Sequence, residues 1–332
     1  MTIWGDRRMR HLVLVSLLLS ICGLAVADGK ISVFEVLSRM VVARSIAYTA
    51  TVETIRLKPQ TISATALLYF KGGKKRLVYG GGFGASLVIL DDGKSVYRLH
   101  PQWRLAVRMP IFPQRLNFEL LRRNYEIKLL EPEEVAGRDC YVIFAQPKHP
   151  DNPKRKVWVD KVHFVVLRDE LLDSDGTPIR IFVVRSINFN AEVDDDLFSV
   201  PPGWRVANAP YRPNLSLEEA ERIVGFKVKL PKFVPEGYQL AGVGVTYCSH
   251  GTPIVHLQYS DGFNTISVFE RPSQCQSLFG RFRFRWGWRR QQPCDWIPQD
   301  DFVHSQIVGN LRVIVIGHPS QAIMQRIAES VQ

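Results

Sequence analysis

Several absences narrow this chain before any motif is read. Cysteine is scarce, five residues in 332, and none falls in the paired C-x-x-C spacing of a zinc site. The patterns G-x-S-x-G and H-E-x-x-H are both missing, which removes two hydrolase signatures. Only the extreme N-terminus carries a long apolar run, and mean hydropathy is -0.05, so a polytopic membrane protein is excluded. Acidic residues are the minority, 32 Asp and Glu against 43 Lys and Arg. The resulting charge of +11 suits an anionic partner: lipid head groups, an acidic peptide or nucleic acid. What is present, 46% hydrophobic and 11% aromatic residues, is globular, and the length favours two domains over one.

Arg7, Arg8 and Arg10 precede an apolar stretch from His11 that ends in Ala25-Val26-Ala27. A basic start, a short apolar core and an A-x-A site make a secretory signal, residues 1–27, with the mature chain beginning at Asp28. Removing three Arg and one Asp lowers the net charge to +9. Leu19-Ser20-Ile21-Cys22 resembles a lipoprotein cleavage box, but Ile21 stands where a small residue is needed. Export sets aside DNA regulation and ATP-driven reactions. Four cysteines remain, Cys140, Cys248, Cys275 and Cys294. In an oxidising compartment the expected disulfide is Cys275–Cys294, which brackets a hairpin-like segment; four buried thiols are the alternative.

Apolar residues at Phe34, Leu37, Met40 and Val41 have the spacing of an amphipathic helix over 31–46. From Tyr48 to 108 and again from Tyr125 to 185 the chain reads as short β-branched and aromatic strands separated by Pro, Gly and Asp-Gly turns, an antiparallel meander. Residues 109–125 interrupt it as a proline-bounded insertion. Ala207-Asn-Ala-Pro-Tyr-Arg-Pro-Asn is a linker by composition, and Ser216 with Glu219 forms a capping box for a short helix. Strands are expected near 239–247, 253–259, 264–270, 281–288, 302–308 and 311–316, with a helix from Pro319. The expected division is 28–205, a linker over 206–215, and 216–332.

Chemistry is thin. Gly80-Gly-Gly-Phe-Gly-Ala fits a permissive dinucleotide pattern, but a strand follows where a helix should start. Asp173-Ser-Asp-Gly lacks the later ligands of a calcium loop, and Asp194, Asp195 and Asp196 read as a solvated turn. Cys248, His250 and His256 lack a fourth ligand of sensible spacing. No catalytic residue, metal or cofactor is expected, and the chain is not expected to be an enzyme. Two features stand out. In Arg281-Phe-Arg-Phe-Arg-Trp-Gly-Trp-Arg-Arg290, strand alternation separates Phe282, Phe284, Trp286 and Trp288 from Arg281, Arg283, Arg285 and Arg289. With Arg290, this is a candidate docking stripe for an anionic partner, or a solvated face. Phe112, Leu116, Phe118, Leu120 and Leu121 exceed what a surface loop needs, and form either core or a lid over a lipid pocket.

Leu37-Ser-Arg-Met-Val-Val-Ala followed by Tyr48 resembles the start of the MucB/RseB family, periplasmic regulators of the sigma-E envelope-stress response. Gly137-Arg-Asp-Cys-Tyr-Val-Ile-Phe-Ala, Val157-Trp-Val-Asp, Leu167-Arg-Asp-Glu-Leu and Asp173-Ser-Asp-Gly resemble the strands that family shares with lipoprotein carriers of the LolA type. Asp196-Leu-Phe-Ser-Val-Pro-Pro-Gly-Trp resembles the end of that domain. Leu230-Pro-Lys-Phe-Val-Pro-Glu-Gly-Tyr and Tyr259-Ser-Asp-Gly-Phe-Asn-Thr-Ile-Ser-Val-Phe resemble the second domain. The resemblance implies a mainly β, α+β chain: a half-open antiparallel β-barrel packed on helices, then a smaller α+β C-terminal domain. It also implies a regulator that binds the periplasmic domain of an anti-sigma factor and shields it until lipid releases it. The alternative is a periplasmic lipid or lipoprotein carrier. Acyl lipid, lipoprotein and peripheral membrane contact are further partner expectations; nucleic acid is not. N-terminal sequencing of the exported protein is expected to begin at Asp28, whereas an acylated chain starting at Cys22 would overturn the assignment.

Overall fold

The structure, a computed structural model, describes residues 31–58, 61–80, 87–109, 117–208, 211–248, 251–274 and 302–332. Helix α1 (Val33–Val42) opens it. The Ser32 Oγ accepts the Glu35 N–H at 3.1 Å, and Glu35 pairs with Arg39 one turn on at 2.5 Å. These contacts satisfy an orphan donor and place charge favourably along the helix. Its three- and four-residue apolar spacing buries Val36 and Leu37, as periodicity requires.

Six strands follow: β1 (Ala47–Arg56), β2 (Ile62–Lys71), β3 (Lys74–Tyr79), β4 (Leu87–Asp91), β5 (Val96–His100) and β6 (Leu105–Met109). After helix α2 (Phe118–Asn124) come β7 (Tyr125–Val135), β8 (Arg138–Pro147), β9 (Lys154–Asp160), β10 (Val166–Leu172), β11 (Pro178–Asn188) and β12 (Arg205–Asn208). They form one sheet in the order β12-β6-β5-β4-β3-β2-β1-β11-β10-β9-β8-β7. Two meanders are thus joined where β11 returns beside β1. The sheet curls without closing, since β12 and β7 remain edges. Register shifts at Thr51/Val52, Leu171/Leu172 and Leu130/Glu133 supply the local bending such a curl needs. Every pair is antiparallel except β12–β6. That pair is parallel because β12 arrives through the 189–204 segment and not through a hairpin.

The second sheet contains β13 (Gln239–Tyr247), β14 (Pro253–Ser260), β15 (Thr265–Pro272), β16 (Phe302–Val308) and β17 (Leu311–Gly317), ordered β13-β14-β15-β17-β16. Helices α3 (Leu217–Val224) and α4 (Gln321–Glu329) pack on one face. There Ala220, Val224, Met324 and Ile327 join Val245, Leu257, Ile266, Val268 and Val315 in a single core. The Ser216–Glu219 capping box is present in full. The stretch read as a linker is divided between the sheets. Residues 205–208 extend the first, whereas Arg212 bridges Val245 of the second.

This second core also buries a carboxyl. Glu270 is 0% exposed, its Oε2 accepts the Lys229 N–H at 3.1 Å, and among the described residues its Oε1 has no partner. Burial outweighs that one hydrogen bond and pushes the pKa up to about 7. Because the folded state holds this proton more tightly than the unfolded chain, the stabilisation is complete below the ordinary value of 4.5 and is lost as pH rises through about 7. Stability is expected to fall by about 3 kcal/mol across that window. Urea unfolding against pH checks this, and Glu270→Gln should flatten the profile; an unchanged profile would refute the assignment.

Candidate functional site

The first sheet and α1 together build an apolar cavity. Val36 and Leu37 seat the helix on Ile143, Val157 and Val159, with Ile127, Leu129, Tyr141 and Val166 around them. Past the end of the helix the described residues leave the sheet uncovered, and a cavity of about 370 Å³ opens there. It is lined by Met40, Val41 and Ala43 from the helix end, Tyr48, Leu68, Phe70, Lys75, Leu77, Val166 and Phe182 from the strands, and Phe164 and Val165 from the β9–β10 turn. Tyr48 stacks on Phe70 with ring centroids 4.9 Å apart, and the Arg39 guanidinium lies 5.1 Å over the Phe164 ring. Burial pushes the Tyr48 phenol well above its ordinary pKa, so it is a neutral polar group on an otherwise greasy wall. Among the described residues, Lys75 is the one charged side chain in the lining. Val42 at the helix end is 73% exposed, and Val162 at the apex of the β9–β10 turn is 71% exposed.

The turn that carries Phe164 is held by a buried carboxylate. Asp160 accepts from Arg138 Nε at 2.5 Å and from the backbone N–H groups of Val162 and His163 at 3.1 and 2.6 Å. Burial disfavours its charge, but these donors outweigh burial and hold the carboxyl below its ordinary range. His163 stacks on Phe189 at 3.7 Å, and Phe189 in turn meets Tyr48. The cavity floor and the turn are therefore one packed unit.

A second cluster joins the two sheets at the α2–β7 junction. The Asn124 amide donates to the carbonyls of Gly237 and Asp261 at 2.7 and 2.9 Å. Tyr125 donates its hydroxyl to Asp261 Oδ2 at 2.5 Å, and the Asn264 amide donates to the Tyr125 oxygen at 2.9 Å. Burial first, and then the neighbouring Asp261, drive the Tyr125 phenol far above its ordinary pKa. Gly237 and Gly262 make the approach feasible: both have positive φ, and a Cβ would meet His149 at 2.8 Å or the Leu121 backbone at 3.1 Å. The geometry fixes one orientation of the sheets; among the described residues no group of metal-ligating side chains accompanies it.

Of the residues singled out from the sequence, Phe118, Leu120 and Leu121 lie on α2. Leu120 and Leu121 are buried; Leu121 and Phe118 pack with Tyr125, Ala145, Ile127 and Phe263 at the sheet junction, and none of the three lines the cavity. Phe112 and Leu116 fall outside the described residues, as do Cys275, Cys294, Arg281, Arg283, Arg285, Arg289 and Arg290. Cys140 is a buried free thiol, its pKa pushed up to about 11 chiefly by burial. The strand residues of the cavity escaped the sequence reading. Their only signal is the alternation Ala66, Leu68, Phe70 in β2, which marks an apolar face without saying what covers it.

Comparison with known proteins places the fold. The crystal structure of MucB matches with a TM-score of 0.59 at 19% identity, covering 91% of this chain and 98% of that one. A complex of Pseudomonas aeruginosa MucA and MucB matches with a TM-score of 0.58 at 18% identity, covering 90% and 97%. The fold is thus MucB/RseB-like, as the sequence resemblance implied. A family described only as an uncharacterized protein matches residues 119–191. An uncharacterized protein of Methanocaldococcus jannaschii is 24% identical over 159 residues, 44% of this chain. The chain spans about half, 46%, of the length of that curated relative.

The junction yields a test. Tyr125→Phe removes the hydroxyl that Asp261 accepts and Asn264 donates to, leaving buried groups short of partners. A loss of about 1–2 kcal/mol is expected, read as a lowered urea midpoint, with both sheets unfolding together. An unchanged midpoint would mean that the junction contributes nothing.

Proposed function

We propose that this chain is an exported, non-enzymatic regulator that binds the periplasmic part of a membrane-bound anti-sigma factor and senses lipid in envelope-stress signalling. The fold carries the proposal: its likeness to MucB runs across both sheets, and MucB has been crystallised in complex with MucA(peri). A helix that stops short over a curled sheet, leaving an apolar cavity with one charged group at its rim, supports the lipid-sensing half. Such a lining with a few placed polar groups is the ordinary form of a small-molecule site. The proposal includes cleavage after Ala27, a periplasmic location, and the division into 28–205, 206–215 and 216–332.

A second reading, a carrier of lipid or lipoprotein acyl chains, is favoured by the cavity alone. The two separate on one experiment. The mature protein is mixed with the purified periplasmic domain of the anti-sigma factor from the same genome and run on a sizing column, with and without a saturating single-chain lipid. A complex that dissociates with lipid is expected. Leu68→Trp, which narrows the cavity, should leave a complex that lipid no longer disperses. Acyl chains bound with no complex formed would favour the carrier and overturn the regulator.

A further inference from the structure

We propose that the β5–β6 turn docks this protein on an anionic bilayer surface, with Trp103 entering the lipid interface and Arg104 and Arg205 beside it on the lipid phosphates. The site lies apart from the cavity. Strand pairing puts the turn at the opposite end of the strands from the β2–β3 turn, and none of these three residues lines the cavity.

The turn is short and stiff. Strand β5 ends at His100, Pro101–Trp103 make one 3₁₀ turn, and Arg104 takes a left-handed backbone at φ 46°. That conformation is strained for a residue with a Cβ. Two hydrogen bonds hold it. The Arg104 N–H donates to the Pro101 carbonyl at 3.2 Å, and the Arg104 carbonyl accepts the Arg205 N–H at 2.9 Å, fastening the turn to the start of β12. Trp103 is left 60% exposed, the one exposed aromatic side chain among the described residues. Its ring stacks on His100 with centroids 5.2 Å apart. An indole is an apolar plate with a single N–H, which favours the boundary between lipid and water.

Charge names the surface. Residues 96–109 and 197–208 carry Arg98, Arg104, Arg108 and Arg205 and no Asp or Glu. Arg104 and Arg205 are exposed, and among the described residues neither enters an ion pair. Elsewhere on the same sheet Lys71, Lys74 and Arg185 are matched by Asp195 and Glu53. Pro101, Gln102, Trp103 and Arg104 are all exposed, but four turn residues fall far short of the roughly 1,000 Å² that a specific protein interface needs. A bilayer needs no matching shape, only an apolar anchor and opposite charge.

The test sediments the mature protein with phosphatidylcholine vesicles, with or without phosphatidylglycerol. Binding is expected to the anionic vesicles, weakening with salt. Brominated acyl chains in those vesicles should quench tryptophan emission, and Trp103→Phe should remove that quenching. Trp103→Ala should weaken binding about tenfold, and Arg104→Gln or Arg205→Gln about fivefold each. Arg104→Gly suits the left-handed backbone, so it should weaken binding by the same factor without lowering the thermal midpoint, which separates lost binding from lost fold. Binding unchanged in all these variants would place the contact elsewhere and overturn the proposal, as would equal binding to neutral vesicles. Quenching that survives Trp103→Phe would overturn the anchoring role. Poly-glutamate bound as tightly as anionic vesicles, and lost in the same variants, would replace the bilayer with an acidic peptide.

Discussion

A wide sheet with one apolar face cannot bury that face on itself unless it closes. The first sheet of this protein does not close. Twelve strands at about 4.8 Å span roughly 50 Å along the hydrogen-bonding direction, while the 10 residues of α1 reach only about 15 Å. The helix therefore covers Ile143, Val157 and Val159 and runs out before Leu68, Phe70 and Leu77. Curling brings the remaining walls together but leaves a gap between them. Strand β3 shows the division of labour: Leu77 faces the cavity, and its neighbour Val78 faces the opposite side, where Val193, Phe198 and Trp204 cover it. One side of the sheet is sealed by the chain's own return segment, and among the described residues the other is sealed only in part.

Different physics joins the second sheet to the first. Its own core, under α3 and α4, is separate and mostly aliphatic, with Tyr259 among the buried residues. The junction adds buried polar partners to the small Leu121–Tyr125–Phe263 cluster: Asn124 and Tyr125 on one side, Gly237, Asp261 and Asn264 on the other. Such partners are costly when mismatched, because a buried donor or acceptor left alone loses its water without compensation. Their geometry thus excludes neighbouring orientations more sharply than aliphatic packing would. Arg155 extends the same logic. It is locked onto Asp169 at 2.8 and 2.6 Å, and its guanidinium lies 5.5 Å over Phe263 of the other sheet.

Local chemistry was legible in the sequence, and long-range pairing was not. Strand alternation, the Ser216–Glu219 capping box and the Asp173-Ser-Asp-Gly turn depend on residues within a few positions of one another, so spacing alone predicts them. The return of β11 beside β1 joins residues more than 120 positions apart, such as Glu53 and Val183, and no local pattern encodes it. The same holds for the cavity. Tyr48, Leu68 and Phe182 are ordinary strand residues until pairing places them opposite a helix end. Tyr125 and Asn264 likewise gave no signal, because a buried Tyr–Asp–Asn cluster drawn from distant segments has no spacing to recognise. The family resemblance supplied the architecture that periodicity could not.

These features meet in the position of the helix end. Met40, Val41 and Ala43 both close α1 and wall the cavity, and Gly72 donates its N–H to the Ile46 carbonyl just beyond, tying the helix exit to the turn that leads into β3. A ligand that fills the gap would touch the helix end, strands β2 and β3 and the Phe164 turn together. It would supply the apolar contacts that α1 is too short to make, in proportion to the area removed from water. A protein that binds its ligand only when folded gains stability from that binding, and a ligand here would place that gain on the side of the sheet that the described residues cover only in part. Val42, between the lining residues Val41 and Ala43, and Val162, two residues before Phe164, are both exposed. A partner that packed on Val42 and Val162 would therefore meet the helix end and the Phe164 turn, the same two elements that a molecule in the cavity would touch.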